Sequence, residues 1–457
     1  MEKYLPVIFI LFFLSTSYAQ FENYPQPGNG MFDGGMGLNW INGELYYSFH
    51  IRPELALGNF GVGLDLNFDI NRNGNIRTEN FNEFSDYLSI IRYVRYGVKN
   101  DPVYVKLGAL DYYTLGYGNI ISNYNNSPSY DTRKIGIVTD IDFGKFGFES
   151  IYSNFLESGI VGIRGYVRPL KYTSAGDIPV IGNLTVGLSY AADFNKYAGI
   201  IFSPIFSPAN LSPAAGQTYY TSSDKGSINI ISADMGLPII KSGMLTLQIY
   251  TDYTKIINFG SGAAAGIIID VNGLNFIKAS AKLERRFNNA QYIAAYFNSL
   301  YEVERYKADT TTNSYSSKAT LLENMTNPDN GYFGELYVNA LGLFYATGSY
   351  ERLDKTPNSG ILHITAYVAP ESVPFIVRAG YDKINIRSEK DLFTLDDRSY
   401  LYFEFGYKPM PYMVVSMLYK WTFAPLRDSG DNIIGYEPQK RVEPRVSFIF
   451  PFNFGQQ

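Results

Sequence analysis

The sequence predicts an all-β chain, a transmembrane antiparallel up-and-down β-barrel of about 18–20 strands with short turns at one end and long loops at the other. Three observations predict it. Apolar and polar residues alternate with a period of two in segment after segment, as in strands that face two different solvents. After the N-terminus there is no apolar run of about 18 residues, so a membrane could be crossed only by strands. The composition fits: 16% aromatic residues with 40 Tyr and 32 Phe favour strands, and 42 Gly with 22 Pro supply turns.

The alternation is fullest at the end of the chain, residues 441–454. Val442, Val446, Phe448, Phe450, Phe452 and Phe454 fall on one side, and Arg441, Glu443, Arg445, Ser447 and Asn453 on the other. The apolar face would meet lipid and the charged face water. This segment resembles the C-terminal insertion strand of bacterial outer-membrane β-barrels, and the mature chain is similar to the porin-like members of that broad class. The resemblance implies a periplasmic N-terminus, folding by the outer-membrane insertion machinery, and contact with outer-membrane lipid and lipopolysaccharide. Pro451 has no backbone donor, so the strand is expected to stop at Phe450 and leave Phe452 and Phe454 as an interfacial tail. Pro444 lacks a donor inside the same stretch.

At the other end, Lys3 precedes an apolar run over 7–14, and Ser17-Tyr18-Ala19 places small residues where a signal peptidase reads. Residues 1–19 are expected to be a signal peptide cut before Gln20, residues 20–35 an irregular periplasmic lead-in with Pro25 and Pro27, and residues 36–457 the barrel.

Within the barrel, Met36, Leu38 and Trp40 alternate up to Asn42-Gly43, a strong two-residue hairpin signal. Leu45, Tyr47, Phe49 and Ile51 then oppose Glu44, Tyr46, Ser48, His50 and Arg52. In the next strand Phe60, Val62, Leu64, Leu66, Phe68 and Ile70 oppose Asp65, Asn67 and Asp69, a full crossing with carboxylates on one face alone. Phe81, Phe84, Leu88 and Ile91 give helical spacing in the connection over 71–89, which could hold a short helix or a constriction. Further strands are predicted near 90–97, 103–112, 133–143, 146–155, 160–169 and 184–194, then 228–237, 245–253, 263–271, 274–287 and 292–306. The last group lies near 332–340, 343–351, 362–369, 375–386, 400–408 and 412–423.

Connection lengths give an independent expectation. Long stretches at 71–89, 113–132, 195–224, 307–330, 387–399 and 424–440 alternate with short ones such as 370–374 and 409–411, as long outer loops and short periplasmic turns would. The rhythm counted from each end falls out of phase between about 245 and 330, which marks one strand missed or invented there. A chain that begins and ends in the periplasm needs an even count.

Function classes narrow by composition. Zero Cys removes disulfides and thiolate metal sites, two His leave little imidazole chemistry, and a net charge of −5 with pI near 5.3 supplies no basic field for nucleic acid. Parity assigns Asp65, Asp69, Lys278, Lys282, Glu284, Arg286, Arg378, Asp382, Arg441, Glu443 and Arg445 to the face away from lipid. Charges of both signs suit a water-filled lumen and argue against a fatty-acid path; many could also pair as structural bridges. The expected function is a channel for passive passage of small polar solutes. The alternative is a closed barrel serving as scaffold, adhesin or envelope-assembly component.

Two motifs point elsewhere. Ser48-Phe49-His50 puts a Ser and a His on one strand face, as outer-membrane lipid hydrolases do, but in reversed order and on the polar face, with no third residue to orient the His. No enzymatic activity and no cofactor is expected. Asp69-Ile70-Asn71-Arg72-Asn73-Gly74 opens like an EF-hand loop, yet Asn80 stands where the bidentate Glu belongs, and Asn-Gly is ordinary turn chemistry. His363 reads as a lumen or interfacial residue, and no phosphate loop or dinucleotide signature occurs.

Overall fold

The computed structural model describes residues 29–78, 81, 87–88, 90–99, 101–129, 133–202, 221–274, 276–309, 314–368, 373–427 and 433–453. The predicted signal peptide, the tip of the 71–89 connection and Asn80 lie outside them. The first strand, β1 (Asn29–Ile41), is followed by β2 (Glu44–Leu57) and by β3, whose two segments Phe60–Leu64 and Leu66–Asn71 keep one register on β2. Then come β4 (Ile91–Tyr96), β5 (Val103–Gly108), β6 (Gly136–Asp142), β7 (Phe146–Tyr152), β8 (Ile160–Val167) and β9 (Thr185–Asp193). The next group is β10 (Ile228–Lys241), β11 (Leu245–Ile256), β12 (Ser261–Leu274), β13 (Ile277–Asn288), β14 (Gly331–Ala340) and β15 (Phe344–Leu353). The last is β16 (Gly360–Val368), β17 (Phe375–Ile386), β18 (Ser399–Met410), β19 (Met413–Arg427) and β20 (Ile433–Asn453).

Every strand pairs antiparallel with the next, and β20 returns to β1 with Phe32 opposite Phe450 and Gly37 opposite Arg445. The result is a closed barrel of twenty strands. Closure removes the sheet edges whose unpaired backbone groups lipid could not satisfy. Both described chain ends lie at the end of the short turns, the periplasmic end of such a barrel.

The two faces differ as the alternation requires. Along β2, Tyr47, Phe49, Ile51, Leu55 and Leu57 are exposed on the outside, while Ser48, His50, Glu54 and Ala56 are buried inside. Phe403, Phe405 and Tyr407 on β18 and Phe448, Phe450 and Phe452 on β20 extend the apolar exterior. Exposed apolar side chains on this scale would be a liability in water and are the expected surface toward lipid. Aromatic pairs cluster near the short turns, with ring centroids 5.0 Å apart for Phe143 and Phe146, 4.9 Å for Phe60 and Tyr96, and 5.6 Å for Tyr412 and Phe450. Phe405→Arg, which puts a guanidinium on the lipid face in mid-strand, is expected to cost roughly 2–4 kcal/mol, measured as a lower urea midpoint for refolding into liposomes, with Ser416→Ala on the inner face as the contrasting variant.

Several expectations are corrected. The chain is already in β1 at Asn29, so residues 29–35 are not an irregular lead-in. Residues 292–306 form no barrel strand; they hold a helical turn, α1 (Tyr301–Glu304), with Tyr306 opening a separate two-stranded ribbon, and removing that barrel strand restores the phase of the connections. The long connection predicted over 424–440 is mostly strand, because β19 runs to Arg427 and β20 starts at Ile433. The strand predicted over 103–112 ends at Gly108.

The end of β20 also differs, and its prolines explain why. The strand continues through Pro451 to Asn453. Along an antiparallel strand successive backbone groups point to alternate neighbours. Ile449 donates its N–H toward β19, to the Tyr412 carbonyl, whereas Lys440 bonds toward β1 through Asn42. Pro451 shares the direction of Ile449, and there β19 has already ended, its last partner being Phe448. No ladder bond is lost. Pro444 points toward β1, and the β1–β20 ladder lapses at that place, passing from Gly37 opposite Arg445 to Trp40 opposite Val442.

Candidate functional site: the lumen and its inward loops

The connection that follows β5, expected over 113–132 as an outer loop, folds into the barrel along residues 109–129. Its chain doubles back as a hairpin: Tyr113 and Tyr124 exchange backbone hydrogen bonds of 2.9 Å, and Leu115 N–H donates to the Ile121 carbonyl. In the β13–β14 connection, the chain around Ala295 and Phe297 runs beside it, with Ser122 N–H donating to the Phe297 carbonyl and Phe297 N–H to the Ile120 carbonyl. A second helix, α2 (Lys318–Asn324), is capped by the Ser317 hydroxyl and packs into the same cluster through Ala319 and Leu322.

Apolar packing fixes the hairpin on one side. Leu110, Leu115, Ile120, Ile121, Phe297 and Tyr301 bury against inward residues of the wall, among them Val138, Ile151, Ile160, Ile228, Ile230 and Ile256. This part of the interior is apolar and covered, in contrast to the charged wall that the lumen candidates form elsewhere. The sequence carries the sign of it: near the outer ends of β6, β8 and β10, apolar residues occupy both parities, as in Ile135 to Val138 and Ile228 to Ile231, which fits strands covered on both faces.

Polar bonds carry the hairpin across to the rest of the wall. Gly116 N–H donates to Glu149 on β7 at 2.7 Å, and the Tyr117 hydroxyl meets the Gln248 amide on β11 at 2.6 Å. Lys282 on β13 donates to the Tyr117 carbonyl, and the Asn119 amide donates to Asp252 at 3.0 Å. On the opposite side, Tyr112 donates to Asp382 on β17 at 3.3 Å and Asn123 to Ser349 on β15 at 3.3 Å. Glycines in the wall make room for the rings: a Cβ at Gly236 would overlap the Tyr117 hydroxyl, and one at Gly266 would overlap Tyr250, on which Tyr117 stacks at 4.2 Å.

A buried ionic cluster ties the two inward loops together. Glu302 accepts from Lys134, from the Tyr124 hydroxyl and, at 3.1 Å, from Arg305, which also bonds Asp193 at 2.6 Å. Lys318 bonds Glu304 at 2.6 Å. Burial alone would raise the Glu302 carboxyl, but Arg305 and Lys134 outweigh it and hold its pKa below the ordinary glutamate value.

The sequence-predicted lumen residues fall as follows. Asp65 lies between Arg52 and Arg133, both at 2.8 Å, and Asp69 between Arg441 at 3.0 Å and the Asn39 amide at 2.9 Å. Lys282, Glu284 and Arg286 form one buried row on β13, with Arg286 reaching Glu351 as well. Arg378 and Arg445 share Glu404 at 3.2 and 2.7 Å, and Glu443 stands 3.8 Å from Arg445. Asp382 bonds His363 at 2.8 Å, giving that histidine its place beside Tyr112. Lys278 is exposed at the periplasmic end of β13. All these except Lys278 are in polar pairs, so the inner wall is internally neutralised over much of its height.

The two outlying motifs resolve into wall structure. His50 Nε2 meets the Ser447 hydroxyl at 3.1 Å and Asp33 at 3.5 Å, while Nδ1 has no hydrogen-bond partner among the described residues. Ser48 and His50 both face inward, away from lipid, with 2% and 1% exposure. Asp69 is committed to Arg441, and the Asn71 side chain accepts from the N–H groups of Asn73 and Asn75, closing a turn where a calcium loop would open.

Below the hairpin the interior opens again. A cavity of about 570 Å³ lies between Tyr117 and the periplasmic turns, with Asp140, Glu149, Arg164 and Tyr166 in its wall. The closed barrel, its apolar exterior and its partly occluded interior with charged groups define a transmembrane β-barrel. No protein-family model and no curated protein sequence matches the chain. Among solved structures, it is similar to the ferric enterobactin receptor PfeA of Pseudomonas aeruginosa, at 9% identity over 94% of this chain and 82% of that one with a TM-score of 0.35. It is also similar to OccD3 (OpdP) of Pseudomonas aeruginosa, at 11% identity over 93% and 91% with a TM-score of 0.30. For the outer-membrane protein OmpT of Vibrio cholerae the values are 8%, 94%, 100% and 0.31. Likeness at this level says nothing of substrate.

Proposed function

We propose that this barrel is a narrow channel for passive passage of small polar solutes across the outer membrane, with the inward hairpin as its selective constriction. The observation that carries this reading is the vestibule of about 570 Å³ directly beneath the hairpin, with charged side chains among those that line it, in a barrel whose inner wall bears ionisable groups of both signs. A hairpin anchored by hydrogen bonds rather than covalent links can leave a passage beside it while setting its width. In this reading the chain is exported by cleavage before Gln20, folded by the outer-membrane insertion machinery, and set among lipid and lipopolysaccharide. The test is swelling of proteoliposomes in solutes of graded size: glycine and arabinose should enter, and raffinose should not.

One observation favours the rival, a closed scaffold or adhesin: Tyr112, Asn123, Tyr117 and Asn119 bond to opposite walls and so span the bore. Proteoliposomes that stay impermeable to glycine would decide for it.

A further inference from the structure

The vestibule beneath the hairpin carries more positive than negative charge, and the surplus is concentrated on one rim. Six cationic and four acidic side chains line it. The acids are largely engaged. Asp142 takes both Nη atoms of Arg168 at 2.8 Å, and Glu149 takes Arg164 at 2.5 Å, while Arg164 is further held by Asp234 from outside the cavity lining. Asp140 stands 3.9 Å from Lys99 and accepts from the Tyr113 hydroxyl. Asp101 caps its own turn by accepting from the Val98 N–H.

Three cations remain outside this pairing. Lys145 in the β6–β7 turn, Lys171 in the β8–β9 connection and Lys241 at the end of β10 have no carboxylate within ion-pair distance among the described residues. Lys145 instead lies over the Tyr172 ring at 5.1 Å. All three line the same concave space, whose ceiling is the Tyr117 turn and whose side carries Tyr166 under Arg164 and Arg168. A cleft with low-dielectric walls focuses the field of such a surplus onto its interior. Ammonium groups that line one cavity can each offer an oxyanion a charge-assisted hydrogen bond.

We propose that the vestibule is a binding site for small soluble oxyanions bearing phosphate or carboxylate groups, held at the rim formed by Lys145, Lys171 and Lys241. The site deepens the channel reading by naming the solute class, and it rests on that reading only in treating the bound anion as permeant.

The test uses the full-length mature barrel purified in zwitterionic detergent, so that no anionic headgroup is present to supply the signal. Isothermal titration with inorganic phosphate and, separately, with succinate is expected to show saturable binding of at least one of them, weakening as salt is raised. The double variant Lys171→Ala/Lys241→Ala should bind it roughly tenfold or more weakly, the effect of losing charge-assisted hydrogen bonds, and Lys390→Ala on an outer loop should bind as wild type does. The altered lysines lie at the cavity rim, and heat-modified mobility on gels checks that each variant still folds. Absence of saturable binding of both probes, or equal binding by the double variant, overturns the proposal. Phosphate binding by a barrel whose liposomes admit no solute would keep the site and reject the channel.

Discussion

Glu302→Ala is expected to release the inward loops from the mouth of the barrel. The wild-type carboxylate is 1% exposed and answers Lys134, Tyr124 and Arg305 together. In its absence Arg305 keeps Asp193, but Lys134 retains a buried ammonium with no carboxylate partner among the described residues. Breaking a buried pair from one side costs roughly 3–5 kcal/mol, far more than an exposed pair, because the surviving charge has lost its water as well as its partner. The barrel strands do not depend on this cluster, so the loss should appear locally. Trypsin added to intact cells should cut the variant within residues 289–330 and leave wild type uncut. Glu302→Gln, which keeps the shape and a carbonyl acceptor, should fall between the two. Equal resistance of all three would show that the cluster does not hold the loops.

Acidification should do reversibly what Glu302→Ala does permanently. A carboxylate whose folded pKa is depressed contributes stability that is complete above its unfolded value and is lost as pH falls through the folded one. Glu302 is depressed by Arg305 and Lys134, so its contribution is expected to be intact at neutral pH and to fade below about pH 4. Asp396 in the outer connection of β17 and β18 is depressed in the same sense by Arg398 and Lys383, although partial burial opposes the shift, and its contribution weakens over the same range. The measurement is hydrogen exchange of residues 109–129 and 289–309 at pH 7 and in that acid range. Lower protection factors in acid, each rate being normalised to the intrinsic amide rate at that pH, reversed on return to neutral pH and absent from the strands β12 to β15, are the expected result. Unchanged protection factors in the loops would mean that the ionic cluster carries little of their stability.

How much of this was legible in the sequence depended on whether a residue's role was periodic. The faces of β2, β3, β13, β18 and β20 follow from parity alone, since a strand between lipid and polar interior writes its two environments onto alternate positions. Asp65, Asp69, Lys282, Glu284, Arg286, Arg441 and Arg445 therefore appear inside, where parity puts them. Their partners did not appear, because Arg133, Glu351 and Glu404 come from distant connections and strands. The inward hairpin was invisible to periodicity for the same reason: its residues are placed by tertiary contacts with seven or so strands rather than by a repeat along its own chain. One signal was there. Residues 109–126 carry Leu110, Tyr112, Tyr113, Leu115, Tyr117, Ile120, Ile121 and Tyr124, an apolar content that a loop in water would not sustain. Residues 292–306 misled in the opposite way, since Tyr292, Ala294 and Tyr296 mimic strand alternation while packing, through Tyr296 and Tyr301, inside the barrel.

In the proposed channel the hairpin over 109–126 sets the width of the conducting path. Single-channel recording in planar bilayers tests it most directly, comparing wild type with a variant in which residues 115–121 are replaced by two glycines. Small, steady currents are expected from wild type and a severalfold larger conductance from the variant. Silence from both proteins, or the same conductance from both, would contradict it.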